Sequence, residues 1–483
     1  MASATEGLQP ELVWKYFAEI SRIPRGSKNE KQISTYVFQT AKKLGLETVQ
    51  DKFMNVVVRT PASQGREHVP MVCLQGHLDM VCEKNNVTVH NFLKDPIELV
   101  RDGNVIRANG TTLGADNGIA VATNLALMED KSVQHGPLEF LFTVDEETGL
   151  TGANNLAPDF LKSKTLLNLD SEEEGELYVG CSGGRNTDGA WKAEFEAVPS
   201  KHVAVKLHVK GLRGGHSGLE IDKGRGNSIK IINRVLLALS EFGARIASMN
   251  GGNKSNAIPR EAEALLFLPA KNLNAASSRV GEFNEIIEAE LKTVEPDLAI
   301  TLEGVKAKVK VLKKPLQKKI LQTISALPHG VTKMSADISW LVETSTNVAI
   351  VRTEKKRIVL TTSQRSSVAS EIDEICQAVA NIFALGGAEV KMSEGYPGWK
   401  PNMDSRILRI ARETYMSLFG KEPAVKAVHA GLECGIIGER YPGMDMVSLG
   451  PTMTGVHSPD EKLYIDTVEK FWNFLLGMLK NIN

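Results

Sequence analysis

The sequence predicts an α/β domain with an α+β unit inserted into it, and three observations carry that prediction. Over about the first 180 residues, short continuous apolar runs alternate with helix-like stretches. Such runs read as strands buried on both faces of a sheet. Near residue 185 the texture changes to alternating apolar and polar residues, as in half-exposed strands. After GYPGWKPN (395–402) the helix–strand texture returns. The expected layout is therefore a domain in two parts, 1–186 and 399–483, around an inserted α+β unit at 187–398.

Taken in order, 11–22 and 30–44 read as helices separated by the break IPRGS. Strands are expected at 55–59, 69–75, 138–144 and 165–169, with a helix at 117–129. In the insert, KHVAVKLHVKG (201–211) alternates as a strand, and 227–242 and 277–293 read as helices. VKAKVKVLKK (305–314) puts lysines on one strand face and small apolar residues on the other, which predicts a lysine-protected edge strand rather than a nucleic-acid contact. The last part holds a helix at 404–419, a strand at 444–449 and a helix at 465–480.

Composition narrows the function classes. With 483 residues, two or three cores are expected. Hydrophobic content of 42% and charged content of 24% are those of a globular protein in water. A net charge of −1 gives no basic excess for nucleic acid. No run approaches the roughly 18 apolar residues of a membrane span. The start, MASATEGLQPEL, has no charged segment followed by an apolar one, so no signal peptide is expected. Five cysteines without a C-x-x-C pair argue against a disulfide framework and for a cytoplasmic setting.

The chemistry-bearing residues fall at strand ends or in the loops that follow strands. MVCLQGHLDMV (71–81) ends in His-x-Asp, so His77 and Asp79 face one side, as a metal-binding imidazole and its supporting carboxylate would. GTTLGADNGIA (110–120) sets Asp116 between glycines ahead of a helix, where Asp116 or Asn117 could also serve as its N-cap. LEFLFTVDEETGL (138–150) ends a strand in Asp145, Glu146 and Glu147. Glu146 and Glu147 project differently, so one can bind metal while the other handles a proton. NLDSEEEGE (168–176) ends a strand in Asp170, and LGPTMTGVHSPDE (449–461) carries His457 in a loop after a strand. Each signal alone is weak. Together, two histidines and three carboxylates without cysteine suit two divalent ions sharing one carboxylate.

The order H-x-D, G-A-D-N-G, E-E, a strand-ending Asp and a late H-S resembles the di-zinc exopeptidase family that contains carnosinases, bacterial dipeptidases and carboxypeptidase G. The strings QGHLDMVCEKN, RANGTTLGADNGIA, GLRGGHSG, SNAIPREA, GYPGW and HAGLECG resemble its aminoacyl-histidine dipeptidase branch. The resemblance implies a mixed-sheet zinc-exopeptidase domain with an inserted lid. It implies two Zn2+, replaceable by Co2+ or Mn2+: His77, Asp116 and Asp170 on one, Asp116, Glu147 and His457 on the other. Asp79 would support His77, and Glu146 would be the general base. His216 of GGHSG would stabilise the oxyanion, with Asn256 and Arg365 binding substrate. HAGLECG (429–435) would line the site, His429 being either a contact or a core residue. The implied activity is hydrolysis of Xaa-His and other unblocked dipeptides, and the resemblance allows two chains to pair through the lid. N-acyl amino acid hydrolysis on the same metals is the alternative, and a binding module that has lost catalysis a third.

Overall fold

The structure, a computed structural model, describes residues 4–483. The chain packs as two units. One holds the chain up to Gly180 with Trp399–Ala427 and Leu432–Asn483; the other holds Cys181–Gly398 and the short segment Val428–Gly431. Among the described residues, no helix is long and apolar enough to cross a membrane.

The first unit is built on an eight-stranded mixed sheet, in the order Glu47–Gln50, Val56–Thr60, Leu138–Thr143, Val72–His77, Thr165–Asn168, Asp445–Ser448, Glu176–Cys181 and Ala424–Val428. Val72–His77 runs parallel to both its neighbours, and Asp445–Ser448 parallel to Thr165–Asn168. The apolar runs are continuous because both faces are covered. Val56, Val58, Leu74, Phe140, Phe142 and Leu167 enter one core, whereas Val57, Cys73, Leu141 and Leu166 enter the other. Side chains alternate along a strand, so a two-sided sheet needs apolar residues at every position. The helix Ile465–Asn481 shows the complementary pattern: Val468, Phe471, Trp472, Leu475, Met478 and Leu479 are buried at helical spacing.

The second unit has a nine-stranded sheet whose recorded pairings are antiparallel, with Ala299–Gly304 at one end and Glu389–Met392 at the other. Its strand His202–Lys210 alternates between buried and accessible positions, burying Val205, Leu207 and Val209. Ser228–Glu241 packs in the same core through Ile229, Ile232, Val235, Leu236 and Leu239, and begins at Asn227, whose side chain accepts from the Ile229 and Lys230 N–H groups.

The expected edge strand at 305–314 does not form. The strand Ala299–Gly304 stops before it, and only Val311–Leu312 pairs, with Phe195–Glu196. Val305 and Val309 are 36% and 47% exposed, so the alternation there has no buried face to stabilise a strand.

Candidate active site

The parallel strands of the first unit bring their carboxyl ends to one edge, where open α/β sheets gather functional groups. His77 closes Val72–His77, Asp145 to Glu147 follow Leu138–Thr143, and Asp170 follows Thr165–Asn168. His457, at φ 62°, lies in the connection between the paired short strands Met453–Thr454 and Lys462–Tyr464, beyond Asp445–Ser448. His77 Nε2 is 3.1 Å from Asp116 Oδ1 and 3.4 Å from Asp170 Oδ1. His457 Nε2 is 3.1 Å from Asp116 Oδ2 and 3.0 Å from Glu147 Oε2. One oxygen of Asp116 thus faces each histidine. The donor atoms of His77, Asp116 and Asp170 lie within 4.8 Å of one another, and so do those of Asp116, Glu147 and His457.

The turn that carries Asp116 is shaped by its flanking glycine and held by Arg25 and Glu461, to which the sequence alone assigns no role. Gly114 adopts φ 69°, and a Cβ there would come within 2.5 Å of the Arg25 Nη2. Arg25 is buried and donates to the carbonyls of Leu78 (3.1 Å), Asp79 (2.9 Å) and Gly114. Neither Asp116 nor Asn117 is a side-chain cap. The Asn117 amide instead accepts from the His77 N–H at 3.1 Å and donates to the Leu169 carbonyl at 2.9 Å. The open N–H groups at the helix start go to Glu461, whose carboxylate accepts from Leu113, Gly114, Ala115 and Asp116 at 2.7, 2.9, 2.8 and 3.3 Å. Glu461 lies four residues beyond His457, so one carboxylate ties the Asp116 turn to the His457 loop. Glu461→Ala is therefore expected to weaken divalent-metal affinity by about 10–100-fold, the usual cost of losing an outer partner. Competitive titration against a chelator measures it.

Asp79 links His77 to the glutamate pair. Its Oδ1 is 3.3 Å from His77 Nδ1 and accepts from the Glu146 N–H at 3.0 Å. Its Oδ2 accepts from the Glu147 N–H at 3.2 Å and from the Ser27 hydroxyl at 2.8 Å. Asp145, at φ 51°, shapes the turn: its carboxylate accepts from the Thr148 and Thr151 hydroxyls, and its N–H donates to Glu30 at 3.0 Å. Asp145 is buried and holds the backbone that presents Glu146 and Glu147. Below this layer, Glu433 accepts from Gln75 and Thr143, both at 2.6 Å.

The cluster carries more buried negative charge than its own partners offset. Glu147 Oε1 and Asp170 Oδ1 are buried without a hydrogen-bond partner. Burial, reinforced by the charges of Asp116 and Glu147, pushes Asp170 up to about 6 against the pull of His77. Burial also lifts Glu172 to about 7 and Glu433 to about 8, and raises Glu146 well above the carboxylate range. Hydrogen bonds to Asp116 and Glu147 hold His457 up at about 11. Buried carboxylates and imidazoles without thiolate are a donor set that fits divalent cations, whose charge offsets this desolvation.

The remaining expected residues belong to the second unit. His216 ends the short strand Gly215–His216, which pairs with Ala257–Ile258. Its Nδ1 accepts from the N–H groups of Gly218 (3.2 Å) and Leu219 (3.1 Å). Arg365, on Arg357–Ser366, brings its Nη2 to 3.5 Å from His216 Nε2. Asn256 is exposed; its carbonyl accepts from the Ser217 N–H at 2.8 Å, and it lines a groove of about 720 Å³ together with His216 and Arg260. His429 is buried beside this group, its Nε2 2.7 Å from the Ser345 hydroxyl.

Comparison with known proteins gives this geometry its context. The sequence profile of peptidase family M20/M25/M40 matches residues 73–481. The chain belongs to this family. The cytosol non-specific dipeptidase of Escherichia coli is 42% identical over 476 residues, covering 98% of each chain. The crystal structure of aminoacylhistidine dipeptidase from Vibrio alginolyticus is 40% identical and superposes with a TM-score of 0.92, over 99% of this chain and 98% of that one. An aminopeptidase PepT structure from Bacillus cereus, 16% identical with a TM-score of 0.57 over 98% and 99% of the two chains, shares the fold. Membership of this peptidase family makes the chain a metal-dependent peptidase.

Proposed function

We propose that the chain is a cytoplasmic dipeptidase that hydrolyses Xaa-His and other unblocked dipeptides with two Zn2+ held by His77, Asp116, Glu147, Asp170 and His457. The observation that carries this reading is the Asp116 carboxylate, whose two oxygens each face a different histidine at 3.1 Å. Support for the substrate comes from the two relatives of at least 40% identity, one a dipeptidase by name and the other an aminoacylhistidine dipeptidase. The donor set of imidazole and carboxylate suits zinc and also admits Co2+ or Mn2+.

When bound, such a pair of ions polarises the scissile carbonyl and acidifies a water. The chain's own residues supply the proton traffic and the positioning. Glu146 takes a proton from the attacking water on its carboxylate and returns it to the leaving amine nitrogen. Asp79 fixes the backbone under that carboxylate by accepting from the Glu146 N–H. His216 acts as a neutral donor. Two backbone N–H groups point at its Nδ1, so the imidazole proton lies on Nε2, and burial beside Arg365 lowers its pKa to about 4. A neutral Nε2–H is a suitable donor to a developing oxyanion. Arg365 pairs with the substrate carboxylate, and Asn256 contacts the substrate from the groove it shares with His216.

The test is a rate comparison on one preparation: carnosine, other dipeptides, a tripeptide and N-acetyl and N-succinyl amino acids. Unblocked dipeptides are expected to be the fastest substrates. An N-acyl amino acid turned over faster than every dipeptide would overturn the reading in favour of an amidohydrolase.

A further inference from the structure

Arg365 is 5% exposed, yet among the described residues it has no ion-pair partner. Its Nε is buried without a hydrogen-bond partner. Its Nη2 faces the Nε2 of His216 at 3.5 Å, and with the imidazole proton on that nitrogen this is donor against donor. The shorter of its two recorded contacts is made by Nη1, which donates to the phenol oxygen of Tyr396 at 2.8 Å, against 3.5 Å between Nη2 and His216. A phenol orients a guanidinium without cancelling its charge, as a carboxylate in the same place would. With Nη1 taken, the edge formed by Nε and Nη2 is left for an anion, and that edge matches the two oxygens of a carboxylate.

The surroundings of Tyr396 are shaped for this contact. Gly184 stands opposite Arg365 in the sheet register and also pairs with Tyr396, their N–H and carbonyl groups exchanging bonds of 3.0 and 2.9 Å. A Cβ on Gly184 would come within 2.6 Å of the phenol oxygen, and one on Gly431 within 2.7 Å of the ring. Both glycines make room for the ring, and the backbone pairing sets its height over the sheet.

We infer that Tyr396 is a positioning residue, which presents the Nε–Nη2 edge of Arg365 to the free C-terminal carboxylate of the substrate and so sets the preference for peptide acids over peptide amides. This inference rests on the reading of Arg365 as the carboxylate partner. The phenol hydroxyl matters only when the substrate has a carboxylate to be aligned.

The experiment compares an Xaa-His dipeptide with its C-terminal amide in the wild type, Tyr396→Phe, Gly184→Ala and Arg365→Met. The wild type is expected to favour the acid. Tyr396→Phe raises KM for the acid by about 10-fold with little change in kcat, the scale of one hydrogen bond to a charged group, and leaves the amide's kinetics near wild type. Gly184→Ala displaces the phenol and shifts the acid-to-amide ratio the same way, which keeps the test open should one variant fold poorly. An unchanged ratio in Tyr396→Phe beside a collapsed one in Arg365→Met overturns the role of Tyr396 and leaves Arg365 as carboxylate partner. An unchanged ratio in Arg365→Met overturns that assignment, and the inference with it.

Discussion

Replacing Glu146 with alanine is expected to lower kcat by about 10²- to 10⁴-fold, the range a positioned general base supplies, while divalent metal stays bound. The separation of the two effects follows from the geometry. Glu147, not Glu146, shares His457 with Asp116, so the donors of that group survive the substitution. The backbone is also preserved, because Asp79 grips the N–H groups of residues 146 and 147 rather than their carboxylates. Metal content measured on the same sample as the rate checks this. Near-normal turnover would remove Glu146 from the role of base, and lost metal would make it a ligand.

Asp116→Ala is expected to act differently, abolishing turnover by releasing metal from both positions at once. Its oxygens are the ones shared between His77 and His457, so neither donor group stays complete without it. The loss of affinity should exceed the roughly 10–100-fold expected on removing an outer partner such as Glu461. The turn itself should survive, since Glu461 holds residues 113–116 through backbone N–H groups that alanine keeps. Chelator competition and circular dichroism on the variant separate lost metal from lost fold. Retention of one tightly bound ion would show that Asp116 serves a single position.

Strand ends were legible in the sequence because buried strands are short, apolar throughout and interrupted abruptly by charge. His77, Glu147 and Asp170 could be picked out on that basis, Asp116 from the glycines around it and His457 from its loop, and the fold brings their donor atoms together in two groups that share Asp116. Residues that act at long range were not legible. Glu461 accepts from N–H groups about 345 positions earlier, and backbone donors leave no mark on side-chain pattern. Arg25 likewise spends its donors on carbonyls, so its sequence neighbourhood, IPRGS, shows only a break between helices. Tyr396 lay inside a quoted string, but its use depends on Gly184 standing beside Arg365, which is a matter of sheet register. The sequence assigns Asp145 no catalytic role and leaves open whether it only supports its neighbours; its buried carboxylate does support them, organising the turn through two threonines. The lysine pattern at 305–314 misled for the opposite reason, since alternation without burial on either face makes no strand.

The most direct measurement is a metal titration of the chelator-stripped protein, following bound ions per chain and the rate on an unblocked dipeptide together. Two divalent ions per chain at full activity, with no turnover in the stripped protein, is the predicted result. Full turnover with no ion bound, or saturation of activity and binding at a single ion, would contradict a centre bridged by Asp116.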